Sequence, residues 1–340
     1  MRIGLVAPPW VPVPPPAYGG TEMVVDLLAV GLQAAGHDVL LAAAADSSCP
    51  VPRVPGTATS APETTNDATP LLAHIVRAYA AMDGVDVIHD HTPAGPVYSG
   101  RPDGVPVVVT NHNAFTPDAI TLFGAAAEDT AVVAISHDHA RQAGDIPIAR
   151  VIHHGIDASR IRVGRGAGGY AAFLGRIDPD KGVVEALRIA RAAGVPLRIA
   201  AKMQHAAEQE YFESEVRPLL TDDHEYIGEV SDAEKYELLG DAFALLNPIQ
   251  WAEPFGLAMI EALATGTPVV GTPNGSAPEI VEQGVTGYLA GVEDLPDLLV
   301  ESRKLDRAAC RADVERRFSV ERMVADHVRL YEELIAAQTV

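Results

Sequence analysis

Lysine is scarce. The 340 residues hold only four, and none precedes Lys181. Lys and Arg total 25 against 46 Asp and Glu, a net charge of −21. A nucleic-acid partner needs clustered basic groups against phosphate, so this balance excludes that class. It also argues against a basic face docked on anionic lipid. Cysteine is nearly absent too. Cys49 and Cys310 stand far apart, which excludes a disulfide framework and a cysteine metal site. A reducing, cytoplasmic compartment follows from that usage. No run approaches the roughly 18 apolar residues of a membrane span. The first apolar run, about six residues, is too short for a signal peptide. Two reaction signatures are also missing, the G-x-S-x-G elbow and the G-x-x-x-x-G-K-[ST] phosphate loop.

What is present is apolar and alternating. Hydrophobic residues make up 48% of the chain, and the length allows two sizeable cores. Short apolar runs alternate with Ala/Leu-rich helical patterns. The runs are "RIGLVA" (Arg2–Ala7), "HDVLLAA" (His37–Ala43), "DVIHDH" (Asp86–His91), "PVVVTNH" (Pro106–His112), "TAVVAIS" (Thr130–Ser136) and "RVIHHGI" (Arg150–Ile156). Such runs predict parallel strands covered on both faces. A stretch rich in Pro, Ser and Thr, Asp46–Pro70, reads as a long excursion loop. The alternation restarts with "YAAFLGR" (Tyr170–Arg176), "PLRIAAK" (Pro196–Lys202), "EYIG" (Glu225–Gly228), "FALLNP" (Phe243–Pro248) and "PVVGT" (Pro268–Thr272). Between the halves, Val163–Gly169 is dense in glycine and fits a flexible linker. The expectation is an α/β chain of two doubly wound parallel-sheet domains with a cleft between them. Ligands of such sheets bind at the carboxyl ends of the strands.

Two glycine patterns bear on the ligand. Gly164, Gly166 and Gly169 satisfy G-x-G-x-x-G. That motif works only after a strand and before a helix, and here a strand follows, so a dinucleotide is not expected. After the first strand comes "PPPAYGGTE", Pro14–Glu22. Gly19 and Gly20 carry no side chain, so backbone there can approach a ligand. The run Pro12–Pro16 reads as a stiff arm presenting that loop.

The second half holds the densest chemistry. In "EPFGLAMIEALATGTPVVGTPNGSAPEIV" (Glu253–Val281), Phe255, Gly256 and Leu257 open a helix. Its first amides lack partners and its dipole is positive there, which suits a diphosphate. Glu253 and Glu261 flank that helix start, and carboxylates there suit sugar hydroxyls better than phosphate. The alternative is a capping Glu and an exposed helical Glu. In "FLGRIDPDKG" (Phe173–Gly182), Arg176 ends a strand and Lys181 begins the next helix. Two such cations neutralise a diphosphate. Asp178 and Asp180 form a D-x-D pattern, but the adjacent cations already supply the charge a metal would bring, so no metal is expected. His112 in "TNHNAF" and His89 and His91 in "HDH" sit at strand ends in the first half. They lack the ligand sets of a metal centre.

Together these residues resemble the retaining glycosyltransferases of family 4, with the GT-B fold of two facing Rossmann-like domains. The E-x7-E element is matched by Glu253 and Glu261, the Arg–Lys pair by Arg176 and Lys181, and the strand-end T-x-H by Thr110–His112. The glycine pair after strand one is matched by Gly19 and Gly20. "IGEVSDAEKYELLG" (Ile227–Gly240) resembles the segment leading to the nucleobase pocket, and Phe318–Ile335 the last helix. The resemblance implies domains at 1–162 and 170–317, a linker at 163–169, and a helix at 318–340 crossing back to the first domain. It implies a nucleotide-sugar co-substrate, with uridine the first choice of base, and no cofactor or metal. Arg176 and Lys181 would hold the diphosphate as leaving group, and Glu261 the ribose. Glu253 with backbone at Phe255, Gly256 and Leu257 would hold the transferred sugar, and His112 would sit beside it. Ile227 and Gly228 would meet the nucleoside, and Gly19 and Gly20 the donor. "NPIQW" (Asn247–Trp251) departs from the more polar stretch usual in the family, placing Trp251 at the sugar pocket. A soluble small-molecule or glycoside acceptor is expected, with antibiotic or other secondary-metabolite tailoring as one setting and polysaccharide assembly as another. The competing readings are a nucleotide-sugar epimerase of the same fold, a non-catalytic nucleotide-sugar-binding partner, and an NAD-dependent oxidoreductase.

Overall fold

Aliphatic and β-branched runs form strands here because both faces of each sheet are covered by helices. The computed structural model describes residues 1–16, 19–65 and 67–338. Ala17 and Tyr18 of "PPPAYGGTE" therefore lie outside the described residues. One unit comprises Met1–Gly155 with Val320–Val340, and a second comprises Ile156–Ser319.

The first unit runs β1 (Arg2–Val6), α1 (Gly20–Ala34), β2 (Asp38–Ala42), α2 (Ala68–Ala80), β3 (Val87–Asp90), β4 (Val107–Thr110), α3 (Pro117–Ala126), β5 (Ala131–Ala134), α4 (His137–Gln142) and β6 (Ile148–Val151). The second runs β7 (Ala171–Arg176), α5 (Val183–Ala193), β8 (Leu197–Lys202), α6 (Ala206–Tyr211), β9 (His224–Gly228), α7 (Asp232–Asp241), β10 (Ala244–Asn247), α8 (Leu257–Ala264), β11 (Val269–Gly271), α9 (Ala277–Ile280), β12 (Gly287–Leu289), α10 (Leu295–Glu301) and α11 (Arg307–Arg317). Helix α12 (Val320–Gln338) belongs to the first unit.

Both sheets are six-stranded and parallel. The first has the order β2-β1-β3-β4-β5-β6. The second has the order β12-β11-β10-β7-β8-β9, the doubly wound Rossmann arrangement. The winding of the second sheet reverses between β7 and β10, so the loops leaving those strands diverge. A crevice opens at such a reversal, on the carboxyl side. Cores form beneath each sheet: Ile3, Leu5, Leu28 and Leu32 are fully buried in the first unit, as are Val183, Leu197, Ile199 and Leu246 in the second.

Several expectations need correction. The glycine-rich segment 163–169 is not a flexible linker. Gly164 N donates to Thr265 O at 2.9 Å, Gly166 N to Gly240 O at 3.0 Å and Gly168 N to Asp241 O at 2.9 Å. A Cβ on Gly164 would lie 2.0 Å from Gly240 O, so glycine there serves close approach. Arg307 clamps the same backbone, donating to Gly164 O, Gly240 O, Ala242 O and Thr265 O. The division of the chain falls at Gly155/Ile156 and Ser319/Val320, because those glycines pack inside the second unit.

Strand β6 lies two residues ahead of the expected run, since Ile148 pairs with Val132. Strand β12 was not expected. Within Asp46–Pro70, Leu41 bridges Arg53, and α2 starts at Ala68. The proline arm is packed down rather than free-standing. Val13 is fully buried, its N donates to Ser47 Oγ at 2.9 Å, and its carbonyl accepts from Ser48 N and Cys49 N. Both cysteines are free and buried, and burial pushes each thiol up to about 12. Among the described residues, no helix is long and apolar enough to cross a membrane.

Candidate functional site

The second unit gathers charged groups where β7, β8 and β9 end. Arg176 is the last residue of β7 and is registered opposite Lys202, the last of β8. The guanidinium of Arg176 donates to Asp178 Oδ2 at 3.1 Å and lies 3.7 Å from Glu208 Oε1. Asp178 also accepts from Asp180 N at 2.9 Å, so this carboxylate is engaged by the arginine and by its own turn. Lys202 Nζ faces Glu229 at 3.8 Å. Ile227 and Gly228 close β9, and Gly228 has φ +86°.

The turn after β7 carries Lys181 to the loop after β10. Gly182 makes that possible: its φ is +75°, and a Cβ would sit 2.0 Å from Pro248 O. Gln250 N donates to Asp180 O at 2.8 Å from the other side. Lys181 Nζ then forms an ion pair with Glu253 Oε2, both side chains being largely buried. The indole N–H of Trp251 donates to the same oxygen at 2.9 Å. Lys181 Nζ also stands 5.2 Å from the centre of the Trp251 ring, within cation–π range.

Helix α8 begins at Leu257, with Gly256 as its N-cap at φ +89° and no side-chain cap. The first amides of α8 are thus presented without a local side-chain acceptor. Phe255 is 2% exposed and packs edge-on against Phe318 at 6.0 Å, so only its backbone can serve a ligand. One turn along α8, Glu261 Oε1 accepts from Lys235 Nζ at 2.7 Å. Lys235 also donates to Asp232 Oδ1 at 2.7 Å and lies 4.7 Å from the Tyr236 ring centre. Burial works against the charge on Lys235, but Glu261 outweighs it and the ammonium is held well above its ordinary pKa.

The first unit presents a different set. Gly20 opens α1 and Gly19 caps it in an extended conformation. A Cβ on Gly19 would lie 2.7 Å from Pro15 Cβ, so its missing side chain is also required by the proline run. Histidines converge at the ends of β3, β4 and β6. His89 bonds Tyr331 OH at 2.6 Å and Thr110 Oγ1 at 2.8 Å. His91 Nδ1 and His112 Nε2 share a hydrogen bond of 2.9 Å. His154 stacks on His112 with ring centres 5.2 Å apart, and His327 of α12 lies 5.1 Å from His89. Burial first, and mutual repulsion second, push His112 down to about 3, while His89, His91 and His154 fall well below the usual value. These rings are neutral at physiological pH.

The structure thus brings Arg176, Lys181, Glu253, Gly256, Leu257 and Glu261 to one edge of the second sheet. It places His112 just past the carboxyl end of β4 in the first sheet, and Gly19 and Gly20 at the start of α1. Sequence reasoning passed over Lys202, Lys235 and Glu208. The signal for Lys202 was available, since "PLRIAAK" ends in a cation as "YAAFLGR" does. Lys235 and Glu261 stand 26 residues apart, and no spacing rule joins them.

Comparison with known proteins gives the following matches. Residues 164–305 match the family described as Glycosyl transferases group 1, and residues 18–160 match Glycosyltransferase Family 4. The fold superposes on AviGT4, a glycosyltransferase involved in avilamycin A biosynthesis, with TM-score 0.77 and 27% identity. That match covers 99% of this chain and 98% of the other. A phosphatidyl-myo-inositol mannosyltransferase of Mycobacterium leprae is 26% identical over 98% of this chain and 96% of its own length. N-acetyl-alpha-D-glucosaminyl L-malate synthase of Bacillus anthracis is 29% identical over 32% of this chain, which spans only 30% of that protein.

Proposed function

Since the chain belongs to the family 4 glycosyltransferases of the GT-B fold, we propose that it moves a sugar from a nucleoside diphosphate to a soluble acceptor, with retention at the anomeric carbon. The observation that carries this is the joining of Lys181, Glu253 and Trp251 beside the uncapped start of α8. Arg176 and Lys181 bind the diphosphate with the first amides of α8. The ammonium of Lys181 has three N–H donors, so one can stay on Glu253 while others reach phosphate. Glu253 accepts hydroxyls of the transferred sugar, Glu261 accepts those of the ribose, and Ile227 and Gly228 meet the base. His112, kept neutral by its surroundings, can give or take a hydrogen bond from a sugar hydroxyl without adding charge.

The reaction breaks the bond from the anomeric carbon to a diphosphate oxygen. The acceptor oxygen bonds to that carbon on the same face, and its proton passes to the departing phosphate. Positioned cations that stabilise the developing charge are what this step needs most. Arg176 and Lys181 supply that charge, so we propose catalysis without a metal. Uridine is the first base to try. A soluble acceptor is favoured over the lipid named for the mycobacterial mannosyltransferase, because the first 180 residues hold no lysine for an anionic surface.

A thermal-shift panel tests this reading. Nucleoside diphosphates and their sugars should raise Tm by mass action, NAD should not, and a chelator should change neither result. Equal or greater stabilisation by NAD would overturn the assignment. Loss of diphosphate binding with chelator would restore Asp178 and Asp180 as metal ligands.

A further inference from the structure

Lys235 has no role in the reading above, yet it is among the most enclosed charges of the second unit. It lies in the first turn of α7, which starts four residues after Gly228 behind a cap formed by Ser231 and Glu234. Its side chain is only 12% exposed, and that of Glu261 only 13%. Asp232, its other carboxylate partner, is 49% exposed. The two contacts therefore differ. The bond to Asp232 lies near water and adds little. The bond to Glu261 is enclosed, where an unpartnered carboxylate would cost several kcal/mol. Lys235 fixes which oxygen of Glu261 is engaged. Among the described residues Oε1 is held by the ammonium at 2.7 Å, so Oε2 is the oxygen left for a ligand. The ring of Tyr236 beneath the ammonium and the bond to Asp232 limit where the lysine can go.

We propose that Lys235 is a positioning residue for nucleoside recognition. It holds Glu261 through Oε1 so that Oε2 receives the ribose hydroxyls, making the chain selective for ribo- over 2′-deoxyribonucleoside diphosphates. The proposal rests on the reading of Glu261 as the ribose partner. A hydroxyl donating to a fixed carboxylate forms a charge-assisted bond, and a ligand lacking that hydroxyl leaves the oxygen unpaired.

The test is calorimetric titration of the full chain with UDP and 2′-deoxy-UDP, and with GDP and 2′-deoxy-GDP as a second pair. The parent protein should favour the ribo form by about tenfold or more. Lys235→Met should bring that ratio close to one. Lys235→Gln, which keeps a neutral donor and is gentler on folding, should give an intermediate ratio. Glu261→Gln separates the two layers of the claim. If Glu261→Gln lowers the ratio but folded Lys235→Met and Lys235→Gln keep the parent value, the proposal for Lys235 fails and the ribose reading stands. If Glu261→Gln also keeps it, the ribose reading fails and takes the proposal with it.

Discussion

Trp251 is the residue whose contribution is easiest to isolate. Its indole N–H reaches the one oxygen of Glu253 that Lys181 also holds. Trp251→Phe keeps an aromatic face for Lys181 and removes only that donor. A hydrogen bond to a charged group contributes about 1.5–3 kcal/mol. If Glu253 must hold its carboxylate against the transferred sugar, kcat/KM should fall by roughly ten- to a hundredfold. Trp251 is partly exposed, so Tm should move little. A variant with full activity would show that Glu253 is oriented by Lys181 alone. The position of Trp251 beside the glutamate could be read from the sequence, but the bond could not. Two residues of spacing place an indole near a carboxylate without saying which atom it meets.

At the level of elements, the strands were legible and the connections were not. Runs such as Val107–Val109 and Val132–Ala134 are apolar throughout because both faces are buried, and that leaves a mark without any partner known. Strand β12 is three residues, Gly287–Leu289, at the sheet edge, too short for any period to show. Glycine density at 163–169 has the same appearance whether the backbone is free or pressed against Gly240. Only the contacts distinguish the two. The turn at Gly182 shows how much one connection carries. Gly182→Ala would face both a positive φ and a Cβ 2.0 Å from Pro248 O. The turn must then lift from the loop after β10, drawing Lys181 away from Glu253. We expect a loss of about 1–3 kcal/mol in stability, the range for strained backbone, and at least tenfold weaker nucleoside diphosphate binding. Unchanged urea unfolding and unchanged titration with the diphosphate would show that the turn adapts. The E-x7-E segment was legible for a related reason: both glutamates stand on one local stretch around α8, whereas the lysines that hold them arrive from the turn after β7 and from α7.

For the whole molecule, the two units should answer acid differently. Most of the buried imidazoles belong to the first unit; the second holds only His205 and His224, of which His224 is buried and pushed down by that burial. His327 is 4% exposed, and burial first, then Arg322, bring it down to about 4. An unfolded histidine takes a proton near 6.5. Between those values the unfolded chain binds a proton that the folded chain refuses. The stability from a neutral His327 is therefore complete above about pH 6.5 and drains away as pH falls toward 4, a loss of about 2 kcal/mol by about pH 5. His89, His91 and His154 shift in the same direction. Asp90 opposes them. Burial raises it to about 6, so the stability it adds is present below about 3.9, the pKa of an unfolded Asp, and lost as pH rises through 6. One carboxyl cannot offset several imidazoles, so acid should weaken the first unit. The chain has two tryptophans, Trp10 in the first unit and Trp251 in the second, and each can report alone. In Trp251→Phe, the urea midpoint followed by Trp10 should fall clearly between about pH 7 and pH 5. In Trp10→Phe, the midpoint followed by Trp251 should fall less. Equal shifts for both reporters would mean that the histidines of the first unit do not set its acid stability, or that the two units unfold as one.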